Sequence, residues 1–181
     1  MPRLRIHSSL AATLVLLFAV LPAGTSTSVP AGFAPQGHAP AEDSLAIVVN
    51  RSNPVENLSL VELRKIFLGE QNHWSNGRRV TVVMLEPGKP ERQVVLAQIY
   101  RMDDKDFNTH FLHGMFTGDI HAAPQTLATT PEVLKFVFNV PGAIGYLRAR
   151  EVDESVKVVR IESRLPSDKD YAIRLRAKPA K

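Results

Sequence analysis

Cysteine is absent from the 181 residues. That excludes disulfides, thiolate metal ligands, a cysteine nucleophile and a lipid anchor on cysteine. A domain built this way relies on its core alone. The Gly-x-Ser-x-Gly elbow of serine hydrolases and the His-Glu-x-x-His pattern of zinc enzymes are also missing, and no acid–base pair stands at a recognisable spacing. The chain is therefore read as a non-enzyme, with no catalytic residues, no metal site and no cofactor. It shows no internal repeat and no second long apolar span.

What is present starts with an export pattern. Arg3 and Arg5 precede an uncharged apolar run of twelve residues, Leu10 to Leu21. A spanning helix needs roughly 20 such residues, so the run is too short for a stable anchor. Pro22 and the small residues Ala23, Gly24 and Ser26 supply a cleavage region. Residues 1–28 are thus expected to be a signal peptide, and the working protein to be periplasmic or secreted and not membrane-spanning once cleaved. A buried helix of a cytosolic protein is the other reading, but no face of the segment is polar. Removing Arg3 and Arg5 lowers the formal net charge from +4 to +2, so the basic balance argues little for nucleic acid. Residues 29–43, rich in Pro and Ala, read as a flexible spacer. Residues 44–181 have the size of one domain.

The domain alternates strands and helices. Leu45–Val49 is a short continuous apolar run, a buried strand. Ser59 and Glu62 form a capping box, with Leu58 and Leu63 placed for a hydrophobic staple. Leu63, Ile66 and Phe67 give the stripe of that first helix, and Gly69 ends it. Val80–Leu85 is a second buried strand. Pro90 opens a helix running over Val95, Ile99 and Met102. Phe107, Phe111, Leu112 and Met115 mark a third helix that stops by Gly118. Residues 119–128 read as loop. Thr129 or Thr130 caps a fourth helix with Pro131 in its first turn and Val133, Leu134, Val137 and Phe138 as its buried stripe. Ala143–Leu147 and Val156–Ile161 are strands. Tyr171–Ala177 alternates as a half-exposed edge strand. The fold class is α/β, a mixed β-sheet flanked by helices.

In such sheets ligands gather at the carboxyl ends of strands. Two loops qualify, and they supply the candidate binding residues: Gly88, Lys89 and Arg92 from the loop after the second strand, and Asn50 and Ser52 from the loop after the first. Gly88 allows close backbone approach, Lys89 and Arg92 add charge, and Arg92 offers bidentate geometry to an oxyanion. Against this, Glu86 and Glu91 bring negative charge and Pro90 removes a donor. Both loops also read as ordinary turns, Asn50–Asn53 feeding Pro54.

Two segments carry a family resemblance. Leu63-Arg-Lys-Ile-Phe-Leu-Gly69, with Trp74 and the strand Val80–Leu85, resembles the start of the second lobe of phosphate-type periplasmic substrate-binding proteins. Pro131-Glu-Val-Leu-Lys-Phe-Val137, followed by Pro141-Gly-Ala-Ile-Gly-Tyr-Leu147, resembles the closing helix and strand of the same lobe. The likeness covers about residues 45–162. It implies a type II periplasmic-binding fold and, in two-lobed members, a clamped anion passed to an ABC permease. This chain resembles the short, single-lobe relatives. Where the family carries a Gly-Ser-Gly-Thr-type phosphate loop, it has Glu86-Pro-Gly-Lys-Pro-Glu-Arg92.

Other features take plainer readings. His110 and His113 share a helix face with His121 nearby, a spacing more typical of surface or cap residues than of a metal site. Trp74 reads as a plug at the end of the core. The basic tail Arg174 to Lys181 is expected to be a solvated terminus. Two functions follow as expectations. One is an extracytoplasmic solute-binding protein holding phosphate or another small oxyanion, with an ABC permease or other envelope protein as partner and no nucleic acid. The other is a non-enzymatic interaction or dimerising domain that has lost the phosphate site.

Overall fold

The computed structural model describes residues 43–175. The expected signal peptide, nearly all of the spacer and the basic tail beyond Leu175 lie outside the described residues. The strands are β1 (Leu45–Asn50), β2 (Asn57–Leu58), β3 (Thr81–Leu85), β4 (Gln125–Leu127), β5 (Ala143–Arg148) and β6 (Val156–Ile161). They form one mixed sheet in the order β2-β6-β1-β5-β3-β4. β1 is antiparallel to both β5 and β6, whereas β3 is parallel to β4 and β5. Every residue of β1 is buried, as an apolar run in a central strand requires.

Helices cover both faces. On one face α4 (Thr130–Asn139) packs on β1, β3 and β5. Gly145 makes this close packing feasible, because a Cβ there would meet Val133 at 3.2 Å and Val137 at 3.5 Å. On the other face Met84 meets Tyr100, whose hydroxyl donates to Met84 Sδ at 3.3 Å. Phe67 of α1 (Leu60–Leu68) and Phe107 of α3 (Asp104–Thr117) stand edge-on to the Tyr100 ring at 5.7 and 5.0 Å, the arrangement aromatic quadrupoles favour. The local signals act as read. Ser59 and Glu62 close a capping box on α1, Gly69 ends it at φ 82°, and Thr129 with Glu132 caps α4.

Five expectations change, the first being that Phe138, expected in the buried stripe of α4, is 56% exposed. The second helix is not continuous: α2 (Pro90–Val95) passes into a π-helical segment, Leu96–Tyr100, closed by Arg101 at φ 57°. The wider turn places Leu96, Ile99 and Tyr100 all in the core. The α3 stripe is rotated. Phe107, Phe111 and Gly114 are buried, while Leu112 and Met115 are 69% and 45% exposed. Gly114 causes this by letting Ile120 sit where a Cβ would lie 2.5 Å from Ile120 Cδ1. The expected loop 119–128 contains β4, too short and polar to read from composition. The expected strand at Tyr171–Ala177 is, within the described residues, an isolated bridge between Ser44 and Arg174. Tyr171 and Ile173 are nonetheless buried. Trp74 is buried at the core end, its indole N–H donating to Gly142 O at 2.9 Å.

Candidate functional site

Strand direction separates the two candidate loops. β1 runs opposite to β3 and β5, so the loop after Asn50 and the loop after Leu85 lie at opposite ends of the sheet. Asn50 and Ser52 therefore form no common site with Gly88, Lys89 and Arg92. This corrects the expectation that both loops share one carboxyl edge.

At the β1 end, hydrogen bonding within the fold occupies the candidates. Asn50 Nδ2 donates to Val137 O at 2.9 Å and Phe138 O at 2.6 Å, covering carbonyls of the last turn of α4. Asn50 Oδ1 accepts from the Ser52 N–H at 2.9 Å and the Ser52 hydroxyl at 2.7 Å. Arg78 in turn donates to Ser52 Oγ at 3.0 Å. These are the bonds of a turn that also caps a helix.

At the other end, the carboxyl ends of the parallel trio β3, β4 and β5 come together. Leu85, Lys89, Thr129, Thr130, Arg148 and Glu151 line a cleft of about 410 Å3 there. Lys89 is the N-cap of α2, and Gly88 precedes it in a turn at φ 89°, a conformation that favours glycine. Arg92 points elsewhere. Its side chain is 3% exposed; Nε donates to Asp104 Oδ1 at 3.0 Å and Nη1 to Leu85 O at 3.0 Å. The guanidinium also lies 4.9 Å from the Phe107 ring centroid. Arg92 thus holds β3, α2 and α3 together beneath the cleft.

The cleft is mixed in charge. Arg148 pairs with Glu91 at 2.5 Å. The Thr130 hydroxyl donates to Glu151 at 3.1 Å. Glu132 accepts from the Ala128 and Thr129 amides just ahead of α4. Lys89 takes part in none of the ion pairs among the described residues. Beneath the cleft Tyr146 accepts from the Leu85 N–H at 3.1 Å, and burial pushes its phenol well above the usual range. Chemically this is a small recess that sets Lys89 and Arg148 against Glu91 and Glu151, with threonine hydroxyls between them. Sequence reasoning missed Arg148 and used Thr129 and Thr130 only as caps. Their convergence depends on parallel pairing, which composition does not reveal. Among the described residues no group of three His, Asp or Glu could hold a metal; His110 Nε2 lies 3.3 Å from Leu68 O.

A mixed six-stranded sheet with helices on both faces and a recess at the parallel strand ends is the periplasmic-binding-protein fold. The chain belongs to the family described as a PBP superfamily domain, whose model matches residues 25–170. It is 28% identical over 136 residues to the phosphate-binding protein PstS of Bacillus subtilis (strain 168), covering 75% of this chain and 41% of that protein. A solved ABC-type phosphate transport receptor from Vibrio cholerae matches with a TM-score of 0.57 and 24% identity, over 68% of this chain and 48% of the receptor. A putative phosphate ABC transporter substrate-binding protein with bound phosphate, from Clostridium perfringens, matches with a TM-score of 0.56 and 22% identity, over 67% and 46%. The two solved structures show likeness of fold. The chain spans less than half the length of each relative.

Proposed function

We propose that this chain is an extracytoplasmic solute-binding domain that holds phosphate, or a small oxyanion like it, in the recess at the carboxyl ends of β3, β4 and β5. One observation carries the reading: in a PstS-like fold, Lys89, Thr129, Thr130 and Arg148 converge at that recess. Lys89 supplies an ammonium that joins none of the ion pairs among the described residues, the Thr129 hydroxyl donates while that of Thr130 stays on Glu151, and Arg148 exchanges Glu91 for the anion. Gly88 shapes the turn that presents Lys89. Asn50, Ser52 and Arg92 have structural roles in this reading. The function is binding, not catalysis, and delivery to an ABC permease or other envelope partner is supported by the likeness to phosphate transport receptors. Export rests on residues 1–28, and no helix among the described residues is long and apolar enough to cross a membrane.

Calorimetric titration with phosphate at low salt tests the proposal. Saturable heat and a thermal shift, both lost in Lys89→Ala, are expected. No heat and no shift at millimolar phosphate would overturn it. A second reading, a non-enzymatic interaction or dimerising domain, is favoured by one feature: Leu112 and Phe116 of α3 share a face and are 69% and 91% exposed. Sedimentation distinguishes the two: a concentration-dependent dimer without phosphate binding supports the second.

A further inference from the structure

A second cavity lies at the opposite end of β3 and differs in chemistry. It holds about 200 Å3, comparable to about seven waters at roughly 30 Å3 each. Its floor is apolar: Ile66, Phe67 and Phe111 line it and are each at most 3% exposed. Its polar lining is Gln71, Asn72, Arg79, Thr81 and His121, and no Asp or Glu takes part. By contrast, four other cavities each carry a carboxylate: Asp119, Asp153, Asp104 and Glu151 respectively. Arg79 and His121 are exposed. Arg79 joins none of the ion pairs among the described residues.

The sheet itself creates this cavity. The β3–β4 ladder covers only Val83–Leu85 against Gln125–Leu127. Thr81 and Val82 pair with β5 on one side, and β4 does not extend to them on the other. That uncovered edge of β3 opens into the cavity, where Thr81 and Val82 both line the wall. An apolar floor beneath a carboxylate-free rim of amides, a hydroxyl and the single cation Arg79 selects a molecule with an apolar body and one negative head. Size limits it to about seven heavy atoms.

We propose that this cavity is a binding site for a small branched carboxylate, its head at Arg79 and its tail on Phe67 and Phe111. The site is separate from the oxyanion recess, and neither proposal depends on the other.

The test is titration of the full chain with 3-methylbutanoate, its neutral isostere 3-methylbutanamide, and inorganic phosphate, followed by calorimetry and amide chemical shifts. The carboxylate is expected to bind saturably and shift Phe67, Val82 and Phe111. The amide is expected to bind at least about tenfold more weakly. Arg79→Gln should weaken the carboxylate by a similar factor, and Lys89→Ala should leave it unchanged. The inference is overturned by absence of these shifts at about 10 mM carboxylate, by equal binding of the amide, or by phosphate shifting Val82 and Phe67 instead. The amide comparison uses the unaltered chain, so it stands even if Arg79→Gln does not fold.

Discussion

Arg92 and Asp104 meet at 3.0 Å, the guanidinium buried against β3 and the carboxylate in the first turn of α3. The pair closes the space under the recess, and Arg92 also satisfies the carbonyl of Leu85 at the end of β3. Replacing Arg92 with leucine leaves the Leu85 carbonyl without this donor and Asp104 with only the Gln93 amide at 3.4 Å. Breaking a buried pair costs about 3–5 kcal/mol, but Asp104 is 38% exposed and water takes up part of its charge. A loss of about 2–3 kcal/mol in urea unfolding is expected. A change under about 0.5 kcal/mol, the scale of a surface substitution, would show that Arg92 is not the fastener described.

Asn50 makes a paired comparison. Asn50→Ala removes two donors from the last turn of α4 and should cost about 1–3 kcal/mol. Asn50→Asp should cost more near neutral pH, because a carboxylate then faces two carbonyl oxygens at the negative end of a helix. Thermal unfolding across acid pH checks this: the Asp variant should recover relative to the Ala variant once its carboxyl protonates. Equal melting of the two variants at neutral pH would contradict the capping role.

The Pro141-Gly-Ala-Ile-Gly-Tyr146 segment works through close backbone approach. A Cβ at Gly142 would fall 1.9 Å from Arg79 O, a contact that nothing except backbone movement relieves. Gly142→Ala is expected to abolish cooperative folding or lower stability by at least about 3 kcal/mol, the scale of a severe backbone effect. Tyr146→Phe deprives the buried Leu85 N–H of its acceptor and should cost about 1–3 kcal/mol. Circular dichroism with urea titration measures both.

Alkaline stability follows from the buried phenols. Tyr100 and Tyr146 are both raised above the ordinary value of 10.0, burial being the largest cause. A raised folded-state value favours the neutral form, so this stability is fully present below about pH 10 and is lost as pH rises further. Urea midpoints should be level in this respect to about pH 10 and then fall. The fall should be shallower in Tyr146→Phe than in the parent chain; an identical slope would contradict the assignment.

Local signals were legible and long-range ones were not. Ser59, Glu62 and Gly69 act within one helical turn of their own positions, so the ends of α1 are readable from sequence, whereas the cap of α4 is readable only as Thr129 or Thr130 and the structure selects Thr129. Leu45–Val49 reads as a buried strand whichever way its neighbours run, so nothing in it told that β1 opposes β3. That single direction moved Asn50 and Ser52 away from Lys89. Arg92 looked like an anion ligand because its partners, Asp104 and Leu85 O, come together only through the turn of α2 and the packing of α3. Gly114 rotated the apolar stripe of α3 through its contact with Ile120, a tertiary effect absent from the helical period.

The most direct test of the oxyanion recess is phosphate titration followed by backbone amide chemical shifts on the full chain. Saturable shifts centred on Lys89, Thr129, Thr130 and Arg148, with Asn50 and Ser52 unmoved, are the predicted result. Shifts centred on Asn50 and Ser52, or none anywhere at millimolar phosphate, would contradict the account.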